Sequence, residues 1–108
     1  MNRKREKSMS KIIIARMRNG DRAAVMKGLS CQGAIFRMDA IAFASLNNMN
    51  DTEIVEKLME LKKDDVFLDG YTVGDFAVAA LDNLGIEKYT GDDIRMKNLI
   101  ESGFAFLR

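Results

Sequence analysis

Proline, tryptophan and histidine are all missing from this chain, and cysteine occurs once. Without proline, no position removes a backbone donor from a helix interior. Without histidine, the chain lacks the side chain that most often serves as general base or metal ligand near neutral pH. Tryptophan is absent and only six Phe and two Tyr are present, so little is available to stack a nucleic-acid base. Cys31 closes no intramolecular disulfide, and as a nucleophile it would depend on Lys or Arg for activation; the reading here is a small, mostly buried side chain. Runs of β-branched residues are few. Lys11 to Ala15, with three Ile, is the only candidate strand, and its periodicity fits a helix at least as well. No apolar run approaches the roughly 20 residues that span a bilayer, and no apolar segment of about 7–15 residues follows the basic start as a secretory signal requires. The sequence predicts a cytoplasmic chain that does not insert into membranes.

What is present describes one folded domain. A chain of 108 residues buries about 65% of the surface it exposes when unfolded. Its 47% apolar and 31% charged residues are those of a globular protein. The net charge of +1 hides two opposed halves. Residues 1–50 hold ten Lys or Arg against three Asp or Glu, and residues 51–93 hold four against twelve. Such polarity steers a charged partner more than it adds raw affinity.

Residues 1–8 are basic with nothing to bury and read as a flexible arm. A helix follows from Ser8 or Ser10 to about Arg18, with Met9, Ile12, Ile13 and Met17 on one side, and Asn19-Gly20 stops it. Asp21 caps a short helix to Leu29 that buries Val25, Met26 and Leu29. The next helix carries Met38, Ile41, Ala42, Ser45, Leu46 and Met49, each 35 positions before Val73, Phe76, Ala77, Ala80, Leu81 and Leu84. An echo of that period is the mark of stacked helical repeats. Asn50 with Glu53 has capping-box spacing ahead of a helix over 51–63 that turns Ile54, Val55, Leu58, Met59 and Leu61 inward. Thr72 with Asp75 repeats that spacing before the Val73 helix, which Gly85 closes. Thr90 with Asp93 opens a last helix that aligns Met96, Leu99 and Ile100; Phe104, Phe106 and Leu107 then fold back as a cap.

Leu61-Lys62-Lys63-Asp64-Asp65, a link, and Val73 to Gly85 with its Ala-Ala-Leu-x-x-Leu-Gly ending resemble HEAT repeats of the bacterial phycobilisome-lyase-like type. The likeness covers residues 34–102, with 9–33 as a degenerate first pair. In two places the chain departs: Gly74 stands where the family carries Arg, and the link from Asp64 to Tyr71 is longer. The resemblance implies an all-α, α-α superhelix (a HEAT-like solenoid) of about three antiparallel pairs: 9–18 with 21–29, 35–48 with 51–63, and 73–84 with 91–102. One domain spans 9–108. Stacked pairs leave a convex and a concave face, and a binding surface is the usual consequence. The family says little about function, because HEAT repeats serve scaffolds, lyase subunits, DNA glycosylases and toxin-immunity proteins alike.

No reactive constellation stands out, so no catalytic residue and no cofactor is expected. Asp64, Asp65 and Asp69 before Gly70 suggest a Ca²⁺ loop, but the EF-hand spacing with Glu at its end is absent and no metal site is assigned. Asp92-Asp93 reads as charge at a helix N-terminus. The expectation is a non-catalytic protein-interaction module that binds a basic protein partner, in the manner of an immunity protein neutralising a cationic toxin. Its candidate contacts are Glu53, Glu56, Glu60, Asp64, Asp65, Asp69 and Tyr71. The alternative is nucleic-acid binding by Arg3, Lys4, Arg5, Lys7, Lys11, Arg16, Arg18, Arg22, Lys27 and Arg37, which the acidic 51–93 segment opposes. Taken singly, each acid is a solvated surface charge.

Overall fold

Three helices of this chain end in the same local device. In the computed structural model, which describes the backbone of residues 3–107 and the side chains of 11–107, α1 (Arg3–Arg18), α3 (Ala34–Leu46) and α5 (Val73–Asn83) each close with a left-handed residue. These are Gly20, Asn48 and Gly85, with φ of +82°, +53° and +73°. In each case the next N–H reaches back to the helix: Asp21 to Arg16 O, Met49 to Ala44 O and Ile86 to Leu81 O, all at 2.9 Å. This Schellman closure satisfies carbonyls that a helix end leaves orphaned. The closures of α3 and α5 lie 37 positions apart, two more than the 35-residue echo. Both helices are buried on several sides, so a stripe matched at 35 tolerates that slip.

The remaining elements are α2 (Arg22–Leu29), α4 (Thr52–Leu61), α6 (Ile94–Ser102), a 3₁₀ turn (Ala105–Leu107) and a two-stranded hairpin, β1 (Phe67–Leu68) with β2 (Tyr71–Thr72). Mostly helical, the chain forms one compact all-α body of 45 × 27 × 24 Å. Its centre is α3 against α5. Ala40, Ala42, Ala44, Ala77, Ala79 and Ala80 are fully buried, Ala40 against Gly28 of α2, and their small side chains let neighbouring helices approach closely. Around them Ile41, Phe43, Ile54, Leu58, Val73 and Leu81 fill the core. At about 1.5–3 kcal/mol for each large apolar side chain buried, this layer is the main source of stability.

Helix α3 also packs on α1 and α2, and α5 on α4 and α6. The expected pairs α1–α2 and α5–α6 form, whereas α3 and α4 make little backbone contact and α4 lies along α5 instead. Gly74 stands where α5 meets the end of α4. A Cβ at this position would stand 2.9 Å from the Asp64 carbonyl oxygen and closer still to that of Lys62. Its N–H donates to Asp64 O at 2.8 Å. The residue that departs from the HEAT pattern is therefore the one that lets the start of α5 abut the end of α4.

Several helix starts follow their sequence signals. Thr72 and Asp75 form a reciprocal capping box, with bonds of 2.9 and 3.0 Å. Asp21 caps α2 through Ala24 N. Others differ. Helix α1 begins at Arg3 rather than Ser8, and the side chains of 1–10, Met9 among them, lie outside the described residues. Along α1 the face that buries Met17 carries Ile13 and Ile14, four and three positions before it, and Ile12 points to solvent. Asp51, not Asn50, is the N-cap of α4, and Arg22 holds its carboxylate at 2.6 Å, so no box forms there. Helix α6 starts at Ile94, three residues late: Asp93 caps it by accepting from Arg95 N, while the Asp93 N–H is taken by the Tyr89 hydroxyl at 3.1 Å. Met59 is exposed rather than inward.

Candidate functional site

The link read as a plain connection is a hairpin, and it builds one wall of an open groove. Asp69 and Gly70 are its two turn residues, with φ of +57° and +96°. Positive φ at both positions is the type I′ geometry that Asp-Gly favours and that matches strand twist. The register pairs Phe67 with Thr72 and Leu68 with Tyr71. Arg95 fastens the hairpin to α6: Nη1 donates to Gly70 O at 2.7 Å, the guanidinium lies 5.7 Å from the Tyr71 ring centroid, and Nη2 pairs with Asp93 at 2.9 Å. In return the Tyr71 hydroxyl donates to Arg95 O at 3.1 Å. The Arg95 hydrogen bond holds the Asp93 carboxyl below the usual carboxylate range.

Opposite the hairpin, Ile35, Met38 and Asp39 project from one face of α3, the i, i+3, i+4 set of a helix. Asn98, Leu99 and Ser102 of α6 form the far side, and Phe76 of α5 lies between. Phe106 and Leu107 of the 3₁₀ turn belong to the lining as well. Together with Leu68, Asp69 and Tyr71 these residues bound about 770 Å³. An aromatic cluster adjoins the groove. Phe104 is fully buried and edge-on to Phe76 at 5.2 Å, and Phe76 meets Tyr71 at 6.0 Å and Phe106 at 6.5 Å. Phe104 adopts φ +62°, a costly conformation for an aromatic residue, and burial of its ring offsets that cost. Of the three tail residues read as a cap, then, Phe104 enters the core. Phe106 stays 62% exposed beside the groove.

Ile35, 55% exposed, puts a large apolar side chain at the opening, whereas Phe67, 64% exposed, alternates with Leu68 along β1 and lies outside the lining. Two acids belong to the lining, Asp39 and Asp69. Burial pushes the Asp39 carboxyl above the usual carboxylate range, and the charge of Arg18 pulls the other way. Arg18 itself sits over the Phe43 ring at 5.6 Å.

The seven candidate contacts do not form one site. Asp69 and Tyr71 line the groove. Asp64 is committed internally: Arg37 donates to it from Nε at 2.9 Å and, through Nη1, to the carbonyls of Cys31 and Gln32 at 2.9 and 2.6 Å. Both side chains are mostly covered, at 13% and 17% exposure. Glu53, Glu56 and Glu60 are exposed on α4; Glu53 pairs with Arg22 and Glu60 with Lys57. Asp65 is exposed on the link that follows. Of the basic set, Arg22 and Arg37 are held in ion pairs, Lys11, Arg16 and Lys27 are exposed, and the side chains of residues 3–7 lie outside the described ones. Cys31 is half-buried with a free thiol.

Sequence reasoning missed Ile35, Asp39, Leu68 and Asn98 as site residues. Asp69-Gly70 between Val-Phe-Leu and Tyr-Thr-Val was the available signal for the hairpin; the groove joins segments over sixty residues apart in sequence and had none. Among the described residues, no three His, Cys, Asp or Glu gather as a metal-binding group, and no helix is long and apolar enough to cross a membrane. No family model, curated protein or solved structure matches this chain.

Proposed function

We propose that this protein is a non-catalytic interaction module that holds a protein partner of basic character through the groove between α3, the hairpin and α6. One observation carries the reading: an open apolar groove rimmed by Ile35 and Phe106, which leaves large side chains in water without a folding role. Contiguous exposed apolar surface of this kind marks binding sites on soluble domains. Asp39 and Asp69 give the lining a negative sign, which favours a cationic partner. Neutralisation of a cationic toxin is one task such a surface serves. The stacked-repeat reading of the helices draws support from the shared closures of α1, α3 and α5 and from α3 packed between the other two.

Affinity capture from the native host with three baits tests the proposal. Phe106→Asp places a charge on an exposed groove residue, and a Glu53/Glu56/Glu60→Ala triple variant removes the acids of α4. A dominant partner should be retained by the wild type and the triple variant and lost by Phe106→Asp. Loss with the triple variant alone would move the contact to α4 and refute the groove.

A further inference from the structure

Asp39 is a carboxylate half withdrawn from water that makes no ion pair among the described residues. It projects from α3 into a groove whose neighbouring surfaces are Met38, Leu68, Phe76 and Leu99. No side chain donates a hydrogen bond to it among the described residues, and the cation that acts on it, Arg18, does so without contact. Three other carboxylates are paired with arginines. Asp51 is held by Arg22, Asp64 by Arg37 and Asp93 by Arg95. A charge set against apolar surface with no partner costs free energy that folding does not recover, and a cation arriving with an apolar ligand would recover it. Asp69, at the hairpin turn on the same groove, adds to the negative field.

We propose that the groove is specific for a peptide segment of the partner in which a single Lys or Arg is flanked by large apolar residues, the cation meeting Asp39 and the apolar side chains meeting Leu68, Phe76 and Phe106. The charge complementarity selects the cation. The rim selects a peptide over a compact small molecule, because Ile35 and Phe106 carry the apolar lining out into solvent. This inference rests on the interaction-module reading, and it narrows that reading from a basic partner to one cation within an apolar segment.

A randomised peptide library displayed on phage is selected against the full chain, and the best peptide is measured by fluorescence anisotropy. The selected sequences should share one Lys or Arg between apolar residues. Asp39→Asn should weaken binding about tenfold, as should norleucine in place of the peptide's basic residue. The two changes together should weaken it little more than either alone, the non-additivity of groups that touch. Phe106→Asp should abolish binding. Selected peptides without a basic residue, or an additive pair of changes, would overturn the assignment to Asp39 and leave the groove standing. Binding that survives Phe106→Asp, or no enrichment over a Phe106→Asp bait, would overturn both. The norleucine peptide leaves the protein untouched, so the result does not depend on how the Asp39 variant folds.

Discussion

Gly74→Ala is the substitution in which geometry and helix propensity disagree most sharply. Gly74 is the second residue of α5, and in an open helix alanine gains up to about 1 kcal/mol over glycine. Here the added methyl would meet the backbone carbonyls of Lys62 and Asp64 and the Lys62 carbonyl carbon at 3.1 Å. None of these can rotate away. Relief requires the start of α5 to retreat from the end of α4, lengthening the 2.8 Å bond from Gly74 N to Asp64 O, worth about 1 kcal/mol. It would also loosen contacts around buried Leu61 and Val73, and overpacking of this kind costs about 1–3 kcal/mol. The net expectation is a loss of about 2 kcal/mol, which at roughly 4–8 °C per kcal/mol lowers Tm by about 10 °C. Urea unfolding followed by far-UV circular dichroism measures it, with an unchanged slope showing that only stability moved. Stability equal to or above the wild type would refute the abutment of α4 and α5.

Further outcomes follow from the ion pairs and the groove. Arg37→Met should cost about 2–3 kcal/mol in urea unfolding, because it strands a mostly covered Asp64 and two carbonyls, and Arg37→Lys should restore only part of that, lacking the planar fork. Arg95→Ala should speed amide exchange across Phe67–Thr72 with little change in global stability, since Arg95 fastens the hairpin and not the core. Because burial raises the folded-state Asp39 carboxyl above its unfolded value, its contribution favours folding at acid pH and is lost as pH rises through the folded value. Asp39→Asn should therefore stabilise the protein at neutral pH and lose that advantage toward acid, read from urea midpoints across the range. Asp51 and Asp93 act in the opposite sense: Arg22 and Arg95 depress their folded values, so their contributions are present above the ordinary carboxylate range and fade as pH falls through the depressed values.

What could be read from the sequence was local chemistry. Thr72 with Asp75, Asp21, Asn19-Gly20 and Gly85 each act on backbone groups within six residues, so their roles follow from spacing alone. The helical class and the inward faces of α4 and α6 follow from periodicity, because each is buried chiefly on one side. Asp69-Gly70 was also local, but the acids around it drew attention to metal chemistry before turn chemistry. Other features depend on distant residues. Asp51 displaces Asn50 as a cap while held by Arg22, 29 positions away, and Asp64 leaves the acidic surface because Arg37, 27 positions away, binds it. The packing of α4 along α5 was likewise hidden: Gly74 lets the start of α5 abut the end of α4, and spacing does not report how near two backbones come. The groove needs α3, the hairpin, α5, α6 and the final turn at once, and Asp39 becomes notable only when its surroundings are known.

The groove itself is tested most directly by titrating the isotope-labelled protein with the captured partner and following backbone amide shifts. The account predicts that the largest changes fall on Ile35, Asp39, Leu68, Tyr71, Leu99 and Phe106, while Glu53, Glu56 and Glu60 on α4 stay unperturbed. Changes concentrated on α4, with the groove residues silent, would contradict it.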